Sequence, residues 1–186
     1  MIQSRAVGEE RLIFKSSVEG MLRALGDDLN RPDVKQALVQ LGINPDRLLP
    51  AYHVPEYVKL MEFIGAHRFP QLQGDARDLE LGREFIRGFG NTLVGKATMA
   101  MGRVLGPMRA THRLTRSMRT VNNYSTSGAT QVTERSMEVW CEPVARPYYY
   151  LGVFEEGGKQ IHGPTYAVEL KSHDKTRERA EFLISW

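Results

Sequence analysis

Cysteine is nearly missing from this sequence. Cys141 is the single thiol in 186 residues, which excludes an internal disulfide. No window holds the roughly 18 uninterrupted apolar residues that a membrane span needs, because charged or polar residues break each run early. Residues 1–10 contain no apolar run of the signal-peptide kind, and with the lone thiol this gives an expected cytosolic location. The histidines His53, His67, His112, His162 and His173 include no pair at i, i+3 or i, i+4, so two ligands on one helix face, and with them a zinc site, are not expected. No Ser, His and Asp constellation and no marked pair of carboxylates can be placed by spacing, so the expected function is not enzymatic. Internal repeats, linkers and low-complexity segments are absent as well. From Phe85 to Thr133 there is no Asp or Glu at all.

What is present is ordinary globular material, 41% hydrophobic and 25% charged. A chain of this length buries roughly 70% of its unfolded surface and needs no metal or disulfide staple, so one globular domain spanning 1–186 is expected. The net charge of +3 is unevenly placed. Arg87, Lys96, Arg103, Arg109, Arg113, Arg116 and Arg119 fill the acid-free segment, while each flank sums to −2. Such a block attracts an anion: nucleic acid, a lipid headgroup, a phosphorylated ligand, or the acidic flanks of the same molecule.

Hydrophobic spacing predicts helices through the first half. Val18, Met21, Leu22 and Leu25 follow Ser16-Ser17 and stop at Gly26; Val34, Leu38 and Leu41 follow Pro32 and stop at Gly42. Asn44-Pro45-Asp46 is a turn, and Pro55 opens a third helix that Phe69-Pro70 closes. A fourth is expected from Asp75, with Leu79, Gly82, Phe85, Ile86 and Phe89 as its apolar stripe. Gly88, Gly90, Gly95 and Gly102 then punctuate a helix-favouring stretch, where each helical glycine costs about 1 kcal/mol, which implies close approach of a neighbouring helix or of a ligand. Pro107 restarts a helix with Met108, Thr111, Thr115 and Met118 on one side and Arg109, Arg113 and Arg116 on another. The period then changes. Two strands are expected between Thr130 and Cys141, followed by an aromatic helix from Pro147 to Gly157-Gly158. The last hairpin alternates Tyr166, Val168 and Leu170 against Phe182, Ile184 and Trp186, with its turn at Ser172 to Thr176. Helices first and strands last give an α+β fold: N-terminal helices packed on a C-terminal four-stranded antiparallel sheet.

Two motifs are weak. Gly90-Asn91-Thr92-Leu93-Val94-Gly95-Lys96-Ala97 keeps the glycine and lysine spacing of a phosphate-binding loop, yet Ala97 stands where a magnesium-binding hydroxyl belongs and an amphipathic helix, not a strand, precedes it. His112, in the basic helix, sits where an axial haem ligand would belong if it faced the core, though a lone histidine is more often packed or exposed. Cys141 beside Trp140 reads as a buried strand residue without a role. The basic helix lacks the accompanying signatures of helix-turn-helix or aromatic-strand nucleic-acid binders.

The run Leu81-Gly82-Arg83-Glu84-Phe85, then Gly88, Thr92 and Gly95, then Gly106-Pro107 with the basic helix, and the closing Ile184-Ser185-Trp186 resemble a family of paralogous proteins of unknown function abundant in myxobacteria. The resemblance covers nearly the whole chain. That family is similar in turn to a superfamily of ligand-binding domains in nitric-oxide signalling and Golgi transport: haem NO-binding domains, vinyl-reductase-type domains and transport-particle subunits. The resemblance implies helices on an antiparallel sheet with an apolar pocket between them. Haem NO-binding domains carry a Tyr-x-Ser-x-Arg signature for the propionates; the nearest stretch, Tyr124-Ser125-Thr126-Ser127-Gly128, lacks the serine position and the arginine. One cysteine likewise cannot supply the metal ligands of vinyl-reductase-type relatives.

The function expected is thus a non-enzymatic cytosolic sensor or adaptor domain that binds a small apolar or amphipathic ligand, with no cofactor assigned. Phe89, Leu93, Met99 and Met101 are the expected pocket wall, Arg109 or Arg113 the partner of an anionic head, and His112 a further ligand-binding residue. A protein partner and a homodimer through the N-terminal helices accompany this reading. The alternatives are a protein interaction module with a packed interior and a nucleic-acid-associated protein using the arginine-rich segment 87–119.

Overall fold

The computed structural model describes residues 10–186, and of residues 114–117 the backbone alone. The readings of residues 1–9 and of the Thr115 and Arg116 side chains therefore lie outside the described residues. Strand β1 (Leu12–Phe14) pairs antiparallel with β2 (Ala51–His53), a small ribbon that three-residue strands do not announce in sequence. Between and after them come helices α1 (Lys15–Arg23), α2 (Pro32–Gln40) and α3 (Val54–Arg68). Pro32 occupies the first turn of α2, and the Glu56 carboxylate accepts the His53 backbone N–H at 3.1 Å to cap α3. Helices α4 (Gly74–Gly90) and α5 (Leu93–Ser117) follow. Gly106, at φ 72° and ψ 167°, leaves the helical path just before Pro107, so α5 is two helical runs meeting at this break, and the restart expected at Pro107 is present.

Strands β3 (Thr126–Thr133) and β4 (Ser136–Glu142), helix α6 (Pro147–His162), and strands β5 (Ala167–Asp174) and β6 (Arg179–Ser185) complete the chain. The four strands form one antiparallel sheet in the order β3-β4-β6-β5. The fold is α+β, as the sequence predicts. Three boundaries differ. β3 starts at Thr126, before the strand-like alternation begins, because Thr126, Ser127 and Gly128 pair with Glu142, Cys141 and Trp140. β5 runs on to Asp174 through residues that read as turn, since a register shift between Leu170 and Ser172 breaks the period of two. α6 passes through Gly157-Gly158 without stopping: a Cβ on Gly158 would collide with the Tyr166 ring, so that glycine marks a close contact rather than a helix end.

Two buried clusters meet at α6. Val18, Leu38, Leu60, Ile64 and Leu81 belong to the helical cluster, and Val139, Cys141, Phe154, Phe182 and Ile184 to the cluster beneath the sheet; Tyr150 and Val153 touch both. Burial pushes the Cys141 thiol up to about 12, which leaves it protonated and unreactive at neutral pH.

The α4–α6 seam is the tightest. A Cβ on Gly82 would overlap the Tyr149 carbonyl oxygen, and one on Gly152 would overlap that of Leu79. The two helices run side by side in the same direction, because their ion pairs advance together: Asp78 with Arg146, Arg83 with Glu155, and Arg87 with Glu156. Substituting Gly152→Ala therefore forces the backbones apart and should lower unfolding free energy by about 2–3 kcal/mol in urea melts. Gly157→Ala is the control: its nearest neighbour would be the Ile86 side chain at 3.5 Å, an ordinary contact, and the substitution should leave stability unchanged or raised by up to about 1 kcal/mol.

Candidate functional site

Where α4 ends, Thr92 makes the corner into α5. Its hydroxyl donates to the Phe89 carbonyl at 2.7 Å and accepts the Gly95 N–H at 3.0 Å, so the run that resembles a phosphate loop is an ordinary helix N-cap. The first part of α5 then lies against the α4 end and α6 through small residues. Gly95 packs on the Phe89 carbonyl and Gly102 on the Ile161 side chain, with Met99 buried between them. This satisfies the close-approach reading of these glycines.

α5 does not close fully on the helices behind it. It leaves a cavity of about 720 Å³ walled by residues of α3, α4, α5 and α6, with Ile13 of β1 and Tyr166 at its margins. The walls are therefore mostly helical, whereas the expected pocket lay between helices and sheet; α6 stands between the cavity and most of the sheet. The lining is predominantly apolar: Met61, Phe85, Ile86, Phe89, Leu105 and Val153 are representative. Of the residues singled out in the sequence, Phe89, Leu93, Met99, Met101 and Arg113 contribute to this lining. Arg109 and His112 do not, and both are exposed. Phe89 and Met99 are buried, whereas Leu93 is 86% exposed and touches the cavity only at its rim.

Sequence reasoning did not single out the cavity's polar groups. Tyr57 and Tyr149 share a buried hydrogen bond between their hydroxyls at 3.3 Å, and Tyr124, Tyr150 and Tyr166 also line the space. Burial raises all five phenols, Tyr166 to about 12, so each hydroxyl remains protonated and the interior carries hydroxyls without charge. The charged lining residues Arg11 and Arg146 are committed to Glu178 at 3.6 Å and Asp78 at 3.0 Å. Arg113 forms no ion pair among the described residues. The signal that would have found the tyrosines is the aromatic run Pro147 to Phe154, whose helical register places Tyr149, Tyr150, Val153 and Phe154 inward.

Haem is the group implied by the haem NO-binding resemblance, and the donor set does not fit it as those domains hold it. The position of the signature arginine is Gly128, where a Cβ would lie 2.6 Å from the Trp140 indole nitrogen; the cross-strand tryptophan occupies the space an arginine would need. His112 is exposed and off the cavity wall. The imidazole on the wall, His162, is half-buried and stacked on Tyr166 with ring centroids 5.6 Å apart. No metal-binding group of three His, Cys, Asp or Glu side chains occurs among the described residues.

Burial lowers the His162 pKa below its ordinary 6.5. The unfolded chain therefore takes up this proton first as pH falls. The stability tied to neutral His162 is fully present above about pH 6.5 and is lost as pH falls towards and through the lower folded value. His162→Gln should flatten the part of the stability–pH profile between pH 7 and 5 that this residue contributes, checked by urea melts at stepped pH; an unchanged slope would place the proton uptake elsewhere.

The fold is shared with solved haem NO-binding (H-NOX) domains. One, described under "Structural insights into the molecular mechanism of H-NOX activation", has 16% identity and a TM-score of 0.67, over 93% of this chain and 95% of that one. An oxygen-binding H-NOX domain related to soluble guanylate cyclases has 18% identity and a TM-score of 0.57, over 91% and 90%. A variant of T. Tengcongensis H-NOX has 19% identity and a TM-score of 0.59, over 91% and 94%. At such identities the likeness is one of fold. No curated protein matches the chain. The sequence profile of one family does match, over residues 11–186, and the chain belongs to that family, described as Protein of unknown function (DUF2378).

Proposed function

We propose that this protein is a non-enzymatic sensor or adaptor domain that binds a small apolar or amphipathic molecule in the helix-walled cavity. The observation that carries the reading is the cavity itself: about 720 Å³, lined mainly by apolar side chains and uncharged tyrosine hydroxyls, within the range of drug-sized ligand sites. An interaction module with a packed interior would have no use for such a space. The tyrosine hydroxyls offer hydrogen bonds to a neutral polar end, and Arg113, without an ion pair among the described residues, is the cation an anionic end would meet. Arg109 and His112 lie off the wall, so neither is given a part in holding this ligand. A sensor acts through a partner, and a homodimer through the N-terminal helices belongs to the same reading, supported by the exposure of Val39 on α2 and Leu49 after it.

Native mass spectrometry with an absorbance scan, before and after mild denaturation, should release a small molecule from the purified protein. With oleate as an added probe, the expected result is a saturable rise in Tm, equivalent to about 2.7 kcal/mol at a hundredfold excess over Kd. Ala110→Trp places an indole at the cavity wall and should reduce that rise at least tenfold in apparent affinity. A clean apo mass together with no Tm shift would sink the ligand-binding reading in favour of a protein interaction module.

A further inference from the structure

The first part of α5 presents Leu93, Val94, Met101 and Val104 to solvent and packs through Gly95, Met99 and Gly102. Leu93 and Val104 are 86% and 87% exposed, and Val94 and Met101 are 41% and 40% exposed. Leu93, Ala97, Ala100, Met101 and Val104 follow the i, i+4, i+7, i+8, i+11 spacing of one helical stripe, and all five are exposed. The opposite face, Gly95, Met99 and Gly102, is buried. A soluble helix normally does the reverse, so an apolar stripe of this length marks a surface that meets something apolar.

The charge beside it is of one sign. Lys96 and Arg103 flank the stripe on one edge and are exposed, and the rest of the acid-free segment adds Arg109, Arg113 and Arg119, also exposed. Among the described residues none of these five cations has an ion pair, whereas Arg87 is committed to Glu84 and Glu156. Internal neutralisation therefore accounts for Arg87 and leaves Lys96, Arg103, Arg109, Arg113 and Arg119 to attract an anion. On the same edge lies a polar recess of about 460 Å³, bordered by Arg87, Asn91, Lys96, Arg103 and Gln160, of a size and charge for a phosphate-bearing headgroup.

We infer that this face of α5 docks on the surface of an anionic phospholipid bilayer, with the Leu93–Val104 stripe at the headgroup and acyl boundary and phosphates held by Lys96 and Arg103. The combination favours lipid over nucleic acid, because phosphate contacts give no use to a leucine and a valine more than four-fifths exposed beside the cationic edge. Docking here is peripheral: no helix among the described residues is long and apolar enough to cross a membrane. The inference does not depend on the cavity's being occupied, although the stripe's Leu93, Ala97 and Met101 also border it.

Vesicle flotation tests it with the full chain. Phosphatidylcholine vesicles containing phosphatidylglycerol should carry the protein, pure phosphatidylcholine vesicles should carry about tenfold less, and added salt should release it. Leu93→Ser/Val104→Ser alters only exposed side chains and should reduce binding about tenfold with an unchanged melting curve; Lys96→Gln/Arg103→Gln should reduce it by a similar factor and abolish the preference for phosphatidylglycerol. Failure of the wild type to float, or equal flotation of either double variant, overturns the inference. So does a wild type that does not float but sediments as a dimer which Leu93→Ser/Val104→Ser converts to monomer, since a second copy would then cover the stripe. Cavity occupancy, read by native mass spectrometry on the same variants, is a separate outcome.

Discussion

The arrangement of this domain depends on how closely α4 and α6 approach one another. At Gly82 and Gly152 each helix presents bare backbone to a carbonyl of the other, and no residue with a Cβ fits at either point. The ion pairs Asp78–Arg146, Arg83–Glu155 and Arg87–Glu156 fix the register along the same seam. Partly exposed pairs contribute little stability each, so their role is alignment, and the driving force is burial of Leu81, Phe85, Ile86, Tyr149 and Phe154 on either side. Because α6 also covers the sheet cluster through Phe154 on Phe182, with ring centroids 5.1 Å apart, the seam couples the helical half to the strand half.

That closeness dictates what α5 can do. With α4 and α6 locked together, the first part of α5 meets them through Gly95, Met99 and Gly102 and leaves the cavity beside that contact. The cavity and the outward apolar stripe are two consequences of one packing choice. A helix that spends its glycines on contact has its leucine, valines and methionine left to face either the void or the solvent, and these do both. The kink at Gly106 then redirects the second part of α5 so that Thr111 is buried while Arg109 and Arg113 are exposed.

Most of the architecture was legible in the sequence because it rests on periodicity. The stripe Leu79, Gly82, Phe85, Ile86, Phe89 and the alternation ending in Phe182 and Ile184 each carry enough repeats to declare a period. The errors share a cause: they fall where a long-range contact, not a local preference, assigns the residue. Gly158 is a glycine because of the Tyr166 ring, Ser172 is in a strand because Glu181 lies opposite, and β1 is a strand because Tyr52, some forty positions on, pairs with Ile13. The cavity wall was partly legible for the same reason. Phe89 and Met99 belong to the apolar stretch already singled out, but which exposed arginine lies near the wall depends on the angle at Gly106, and a sequence holds no angle. The tyrosines remained hidden among residues that read equally well as core.

The likeness to H-NOX domains and the misfit of haem are compatible once the sheet is considered. A fold of helices over an antiparallel sheet can keep its cavity while the few side chains that define the cofactor are replaced, since function resides in the site and not in the scaffold. Here the strand is built differently: the edge strand's Gly128 accepts the Trp140 indole, which in turn supports the Arg179 guanidinium 4.4 Å above its ring. A ring stacked on a strand glycine and a cation stacked on that ring make a continuous surface where a propionate-binding arginine would otherwise emerge. An arginine placed at Gly128 would thus displace a packed tryptophan, and His112 is exposed off the cavity wall. The cavity has room, apolar walls and tyrosine hydroxyls, and it is on these, not on the shared scaffold, that the proposed recognition by shape and by one polar end rests.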